Sequence, residues 1–111
     1  MGVNTYHYSF YGVKIPYNEA LSELFDEVGE IAEEASEMIL FDGMGGRYTI
    51  IGAKLFEMDE YGEGSEFTTI ALDSLPQIET EYRAKFAKYF PEFKHLIDGK
   101  KFELMVFAHY S

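Results

Sequence analysis

The chain has 111 residues, 47 % of them hydrophobic and 17 % aromatic, which excludes a disordered acidic tail and is enough for one hydrophobic core. It has no cysteine, which excludes disulfides, thiolate metal sites and cysteine nucleophiles, and no apolar run of about 18 residues that would cross a bilayer. Its net charge of −11 argues against direct binding of nucleic acid, which needs a basic surface. A basic stretch followed by an apolar one is missing at the N-terminus, so the expectation is a cytoplasmic protein forming a single compact acidic domain over residues 1–111.

Residues 3–15 alternate with period two and predict a strand. Its aromatics Tyr6, Tyr8 and Phe10 give way to Tyr11, Val13 and Ile15, a change of phase that predicts a β-bulge at Gly12. From Asn18 the period changes. Leu21, Leu24, Phe25, Val28, Ile31, Ala32 and Ala35 recur at three- and four-residue steps, predicting a helix over 18–37 about 30 Å long with Asn18 as its N-cap. Met38–Phe41 reads as a short buried strand and Asp42-Gly-Met-Gly-Gly46 as a flexible connection. Arg47–Met58 reads as a long strand with a second bulge at Gly52, Asp59–Glu66 as a polar loop and Phe67–Leu72 as a further strand.

Ser74-Leu-Pro-Gln77 has the form of a capping box that opens a second helix, which Pro91 ends near Phe90. Lys101–Tyr110 is apolar on both faces, as expected of a strand in a sheet interior. The order β-α-β-β-β-α-β predicts an α+β fold, a mainly antiparallel sheet of about five strands with two helices on one face. The remaining aromatics would lie on the other face, where an uncovered apolar surface leads to the expectation of a homodimer.

The charge is unevenly distributed. Residues 1–74 hold fifteen acids against three bases, Lys14, Arg47 and Lys54, whereas residues 75–111 hold five acids against six bases. The first helix carries Glu19, Glu23, Asp26, Glu27, Glu30, Glu33, Glu34 and Glu37 with no basic residue one turn away. Each like-charged pair at i,i+4 is unfavourable by about 0.2–0.5 kcal/mol, so a surface that keeps them suits a cationic partner. Eight carboxylates over about 30 Å approach the spacing of phosphates along one DNA strand. In size and charge alone the chain resembles phage-encoded inhibitors of host nucleic-acid enzymes. These features imply a non-enzymatic, viral-like interaction module that binds a basic protein, in its sharpest form an inhibitor mimicking DNA or RNA. Asp59, Glu60 and Glu63 of the polar loop would extend the partner-binding surface. A face that is acidic only to keep the chain soluble is the alternative explanation of the charge.

Other motifs are weaker. The 57–66 loop does not match an EF-hand, since, with Glu57 at position one, Tyr61 falls at position five and Thr68 where a bidentate glutamate is needed. The glycines of 43–46 lead into β-type sequence and not into a phosphate-binding helix, although Arg47, alone among acids, could anchor an anionic ligand. His7, His95 and His109 lack metal-ligand spacing, though His7 and His109 would share a face if the terminal strands are neighbours. Neither a nucleophile motif nor an isolated carboxylate pair stands out, and no catalytic residue, metal or cofactor is expected. The competing function class is a small-ligand-binding or enzymatic sheet domain that uses the aromatic face.

Overall fold

The computed structural model of the chain describes residues 5–31, 33–42, 45–59, 61 and 68–110. In chain order these form β1 (Thr5–Ile15), α1 (Glu19–Ile31), α2 (Glu33–Ser36), β2 (Ile39–Phe41), β3 (Thr49–Asp59), α3 (Leu75–Tyr89) and β4 (Glu103–Tyr110). Short 3-10 turns at Leu72–Ser74 and Pro91–Leu96 flank α3. The architecture is α+β, with a four-stranded antiparallel sheet in the order β2-β3-β1-β4. The fifth strand is not seen among the described residues. Phe67 lies outside the described residues, Thr68–Ala71 have no regular structure, and Leu72 begins a turn with its side chain 72 % exposed. Both edges of β1 are already paired, by β3 and by β4, so these residues have no partner there.

Asn18 caps α1 as expected, its Oδ1 accepting the Leu21 N–H at 2.9 Å. Of the predicted 18–37 helix the described residues form α1, Glu19–Ile31, and α2, Glu33–Ser36, and Ala32 between them lies outside the described residues. Leu21 of α1 and Ala35 of α2 are fully buried, packing with Phe86, Phe90, Val13, Ile15, Ile51 and Phe102 in one core. This core lies between the helices and one face of the sheet. The capping box at Ser74 does not form: the Ser74 hydroxyl donates back to the Ala71 carbonyl at 2.6 Å and makes no cap to the helix. Pro76 in the first turn still favours the start of α3. Arg83 ties α3 to the turn before β4, stacking 4.7 Å from the Phe102 ring and donating to the carbonyls of Ile97 and Lys100.

The bulge falls elsewhere. Ser9 pairs with Phe56 but Phe10 with Lys54, so the extra residue is Leu55 of β3, and Gly12 stands in register opposite Gly52. The phase of β1 never changes. Tyr11, Val13 and Ile15 pack against the helices, while Tyr8 and Phe10 stack with Phe107 on the opposite face. Two covered faces on one strand look, in a linear sequence, like one face that switches sides.

That second face is concave. A Cβ on Gly12 would run into the Ile51 carbonyl oxygen and one on Gly52 into that of Tyr11, so only a glycine pair lets the two backbones approach this closely. The degree of coiling follows from the register. Thr49 pairs with Ile15 and His109 with Tyr6, nine residues apart on β1, or about 30 Å along a flat strand. Yet the hydroxyl of Tyr48, the residue before Thr49, lies 2.9 Å from His109 Nδ1. Diagonal corners of the sheet therefore meet, and Phe10, 2 % exposed, is buried under that closure.

The aromatics of this face pack on one another, Phe10 buried and Tyr6, Tyr8 and Phe107 half-buried. β4 is an edge strand and not an interior one, and it leaves Leu104 and Val106 exposed on its helix-side face.

Candidate functional site

The carboxylates of the first helix separate into two groups. Glu19, Glu23, Asp26 and Glu27 of α1 are exposed and form no ion pair among the described residues. Spacing of four, three and one residues puts them on one side of α1, away from the buried Leu21. Glu34 behaves differently. It meets Lys85 of α3 at 2.9 Å and accepts the Tyr89 hydroxyl at 2.8 Å, and these contacts hold its carboxyl below the usual carboxylate range. Lys85 also reaches Glu81 at 3.3 Å and lies over the Tyr82 ring, and the Glu34 contact raises its ammonium pKa well above the ordinary lysine value.

Glu34 thus belongs to the seam between α2 and α3. Glu33 and Glu37 are exposed, and the Glu30 side chain, Glu60 and Glu63 lie outside the described residues. Asp59 stays near its own backbone, accepting the Tyr61 N–H at 3.0 Å. Glu57, at the start of the acidic loop, pairs with Lys54 at 2.7 Å.

A second site, built on the concave sheet face, starts from Asp42. In the sequence this residue only opens a flexible glycine-rich connection, yet it is 2 % exposed. Its Oδ1 accepts the Gly45 N–H at 3.1 Å, and its Oδ2 accepts the Arg47 N–H at 3.1 Å and Arg47 Nε at 2.8 Å. The Arg47 guanidinium beside it holds the Asp42 carboxyl below the ordinary range. Gly46 takes the left-handed conformation, φ 62°, and donates to the Asp42 carbonyl at 2.8 Å. The connection read as merely flexible is therefore pinned at its described residues by one buried carboxylate.

The pinned turn delivers Tyr48. Its ring packs against Phe107 and His109, its hydroxyl bonds to His109 Nδ1, and burial pushes its phenol pKa up. Two cations flank the same ring, Lys14 Nζ at 5.6 Å and Arg47 Cζ at 5.8 Å from its centre. His109 is 4 % exposed, and burial lowers its imidazole pKa below the usual value. Beneath these groups burial, followed by the charge of Glu57, pushes Tyr8 up to about 12. The pairing His7↔Ala108 and Tyr6↔His109 puts His7 and His109 on opposite faces, so they share no site.

A cleft of about 380 Å³ opens beside Tyr48, lined by Lys14, Arg47, Ile50, Met105 and Phe107. Among the described residues no three His, Asp or Glu side chains are grouped to hold a metal, and no helix is long and apolar enough to cross a membrane. Lys14, Asp42 and Tyr48 were not singled out from the sequence as site residues. The available signal was turn chemistry, an Asp followed by glycines and an Arg, which is typical of a side chain bonding its own backbone. Comparison with protein families, with curated proteins and with solved structures finds no match for this chain.

Proposed function

We propose that the chain is a non-enzymatic interaction module that docks on a basic protein surface through the outer face of α1. One observation carries this reading: the fold neutralises Glu34 where it packs on α3 but leaves Glu19, Glu23, Asp26 and Glu27 in solvent without a cation among the described residues. Like charges one turn apart destabilise the helix, and complementary charge on a partner would relieve that repulsion while speeding encounter. Over its described length α1 spans about 20 Å, the length of about six phosphates along one DNA strand, and carries five acidic residues. That density supports mimicry of a nucleic-acid strand as the form the docking takes.

The test is capture of partners at low salt, stepwise elution with salt, and competition by duplex DNA and by RNA. Recovery of a basic nucleic-acid-binding protein that either nucleic acid displaces is the expected result. Reversal of Glu19, Glu23, Asp26 and Glu27 to lysine should abolish that recovery. A folded reversal variant that retains the same partner at the same salt overturns the reading.

A further inference from the structure

We propose that the cleft between β4 and the turn holding Tyr48 is a binding site for a small organic anion, an acidic headgroup carried on a flat apolar body. The first argument is where the positive charge lies. Residues 1–74 have only three bases against fifteen acids, and two of the three, Lys14 and Arg47, line this one cleft. They come from different strands' ends, 33 positions apart, and converge on the ring of Tyr48. Lys14 meets no carboxylate among the described residues, although the chain has more than two acids for every base.

The second argument is preorganisation. Arg47 is held through Nε by a carboxylate that is itself 3 % exposed and fixed by two backbone N–H groups. Tyr48 is anchored at its hydroxyl by His109 and along its ring by Phe107. A cation whose position is set before the ligand arrives loses little freedom on binding. Arginine and lysine together suit a carboxylate or a phosphate ester, the one as a planar donor and the other as a point charge.

The third argument is the opposite wall. Ile50, Met105 and Phe107 supply apolar surface next to the cations, and the volume of about 380 Å³ lies toward the lower end of ligand sites, which run from roughly 300 to 1,000 Å³. A bare inorganic ion would leave that wall unused, and a neutral apolar molecule would leave Lys14 uncompensated. The body is therefore a one- or two-ring group bearing a single acidic function. None of the α1 carboxylates lines this cleft, so failure here leaves the helix reading untouched, and the reverse also holds.

The experiment is a backbone-amide NMR titration of the full chain with naphthalene-2-carboxylate, 2-naphthyl phosphate and the neutral naphthalene-2-carboxamide. The expected result is saturable shifts centred on Lys14, Tyr48 and 105–108 with at least one anion, which also identifies the preferred headgroup. The carboxamide should bind at least about tenfold more weakly. Lys14→Gln, at an exposed position, should weaken the anion about tenfold and leave the carboxamide unchanged. Glu23→Gln should change neither. Absence of saturable shifts with both anions, equal affinity for the carboxamide, or a Lys14→Gln variant that binds the anion as the native chain does, each overturns the proposal.

Discussion

The outer face of α1 and the concave face of the sheet treat the same chemical group in opposite ways. On α1 the carboxylates of Glu19, Glu23, Asp26 and Glu27 stand in solvent near one another, repelling weakly and fixing nothing. On the sheet, Asp42 is removed from solvent and surrounded by two N–H donors and an arginine, so one carboxylate organises the described residues of its connection. A row of exposed charge costs little to keep and is available to a partner, whereas a buried charge is tolerated only when its lone pairs are satisfied. The difference separates charge that can be read from outside from charge that holds structure. The scarce cations follow the same division, with Lys85 on the α2–α3 seam and Lys14 and Arg47 at the cleft.

The largest effect that would break this contrast is expected beneath the cleft. Phe10→Ala removes a ring that is 2 % exposed and should cost about 3–5 kcal/mol in urea unfolding. A loss below about 1 kcal/mol would mean that the concave face is not closed by Tyr48 and Phe107. Asp42→Asn comes next. It removes the charge from three hydrogen bonds and should cost about 1–3 kcal/mol, read as a lowered urea midpoint. An unchanged midpoint would place Asp42 with the α1 carboxylates.

Acidity provides a smaller test. Above pH about 6.5 His109 is neutral in both the folded and the unfolded chain and contributes no slope. Below it the unfolded chain takes up a proton that the buried imidazole resists, so stability falls as pH is lowered toward the depressed folded value. Asp42 adds nothing in that window, because its own depressed pKa moves its loss to pH below the ordinary carboxylate range. Melting curves from pH 8 to 5 should be less steep in pH for His109→Gln than for the native chain, and equal slopes would refute the assignment. The smallest effect has the opposite sign. Glu23→Gln relieves repulsion from Glu19 and Glu27 and should raise stability by about 0.2–0.5 kcal/mol for each pair relieved, measurable as a small rise in melting temperature at low salt that vanishes at high salt.

Much of the fold was legible where the cause is local. Asn18 caps α1 because an Asn side chain reaches the N–H three residues on, and Pro91 follows the end of α3 because proline cannot continue the hydrogen-bond ladder. Ser74 failed on the same scale, since its hydroxyl had a nearer acceptor in the Ala71 carbonyl. The acidic side of α1 was read from spacing alone, but the fate of Glu34 was not, because its partners lie 51 and 55 positions further along the chain.

By itself the sequence determined most of the helical and extended stretches, Phe67–Leu72 excepted, which residues make them amphipathic and how sharply charge divides between residues 1–74 and the rest. These depend on interactions within one turn or one strand, over which periodicity is a faithful record. Tertiary structure alone decided the strand order, the displacement of the bulge to Leu55, the coiling at Gly12 and Gly52, and hence the meeting of Tyr48 with His109, 61 positions away. Sheet curvature and register arise from the pairing of strands distant in sequence, and a twist added along two long strands can bring together corners that no local pattern relates.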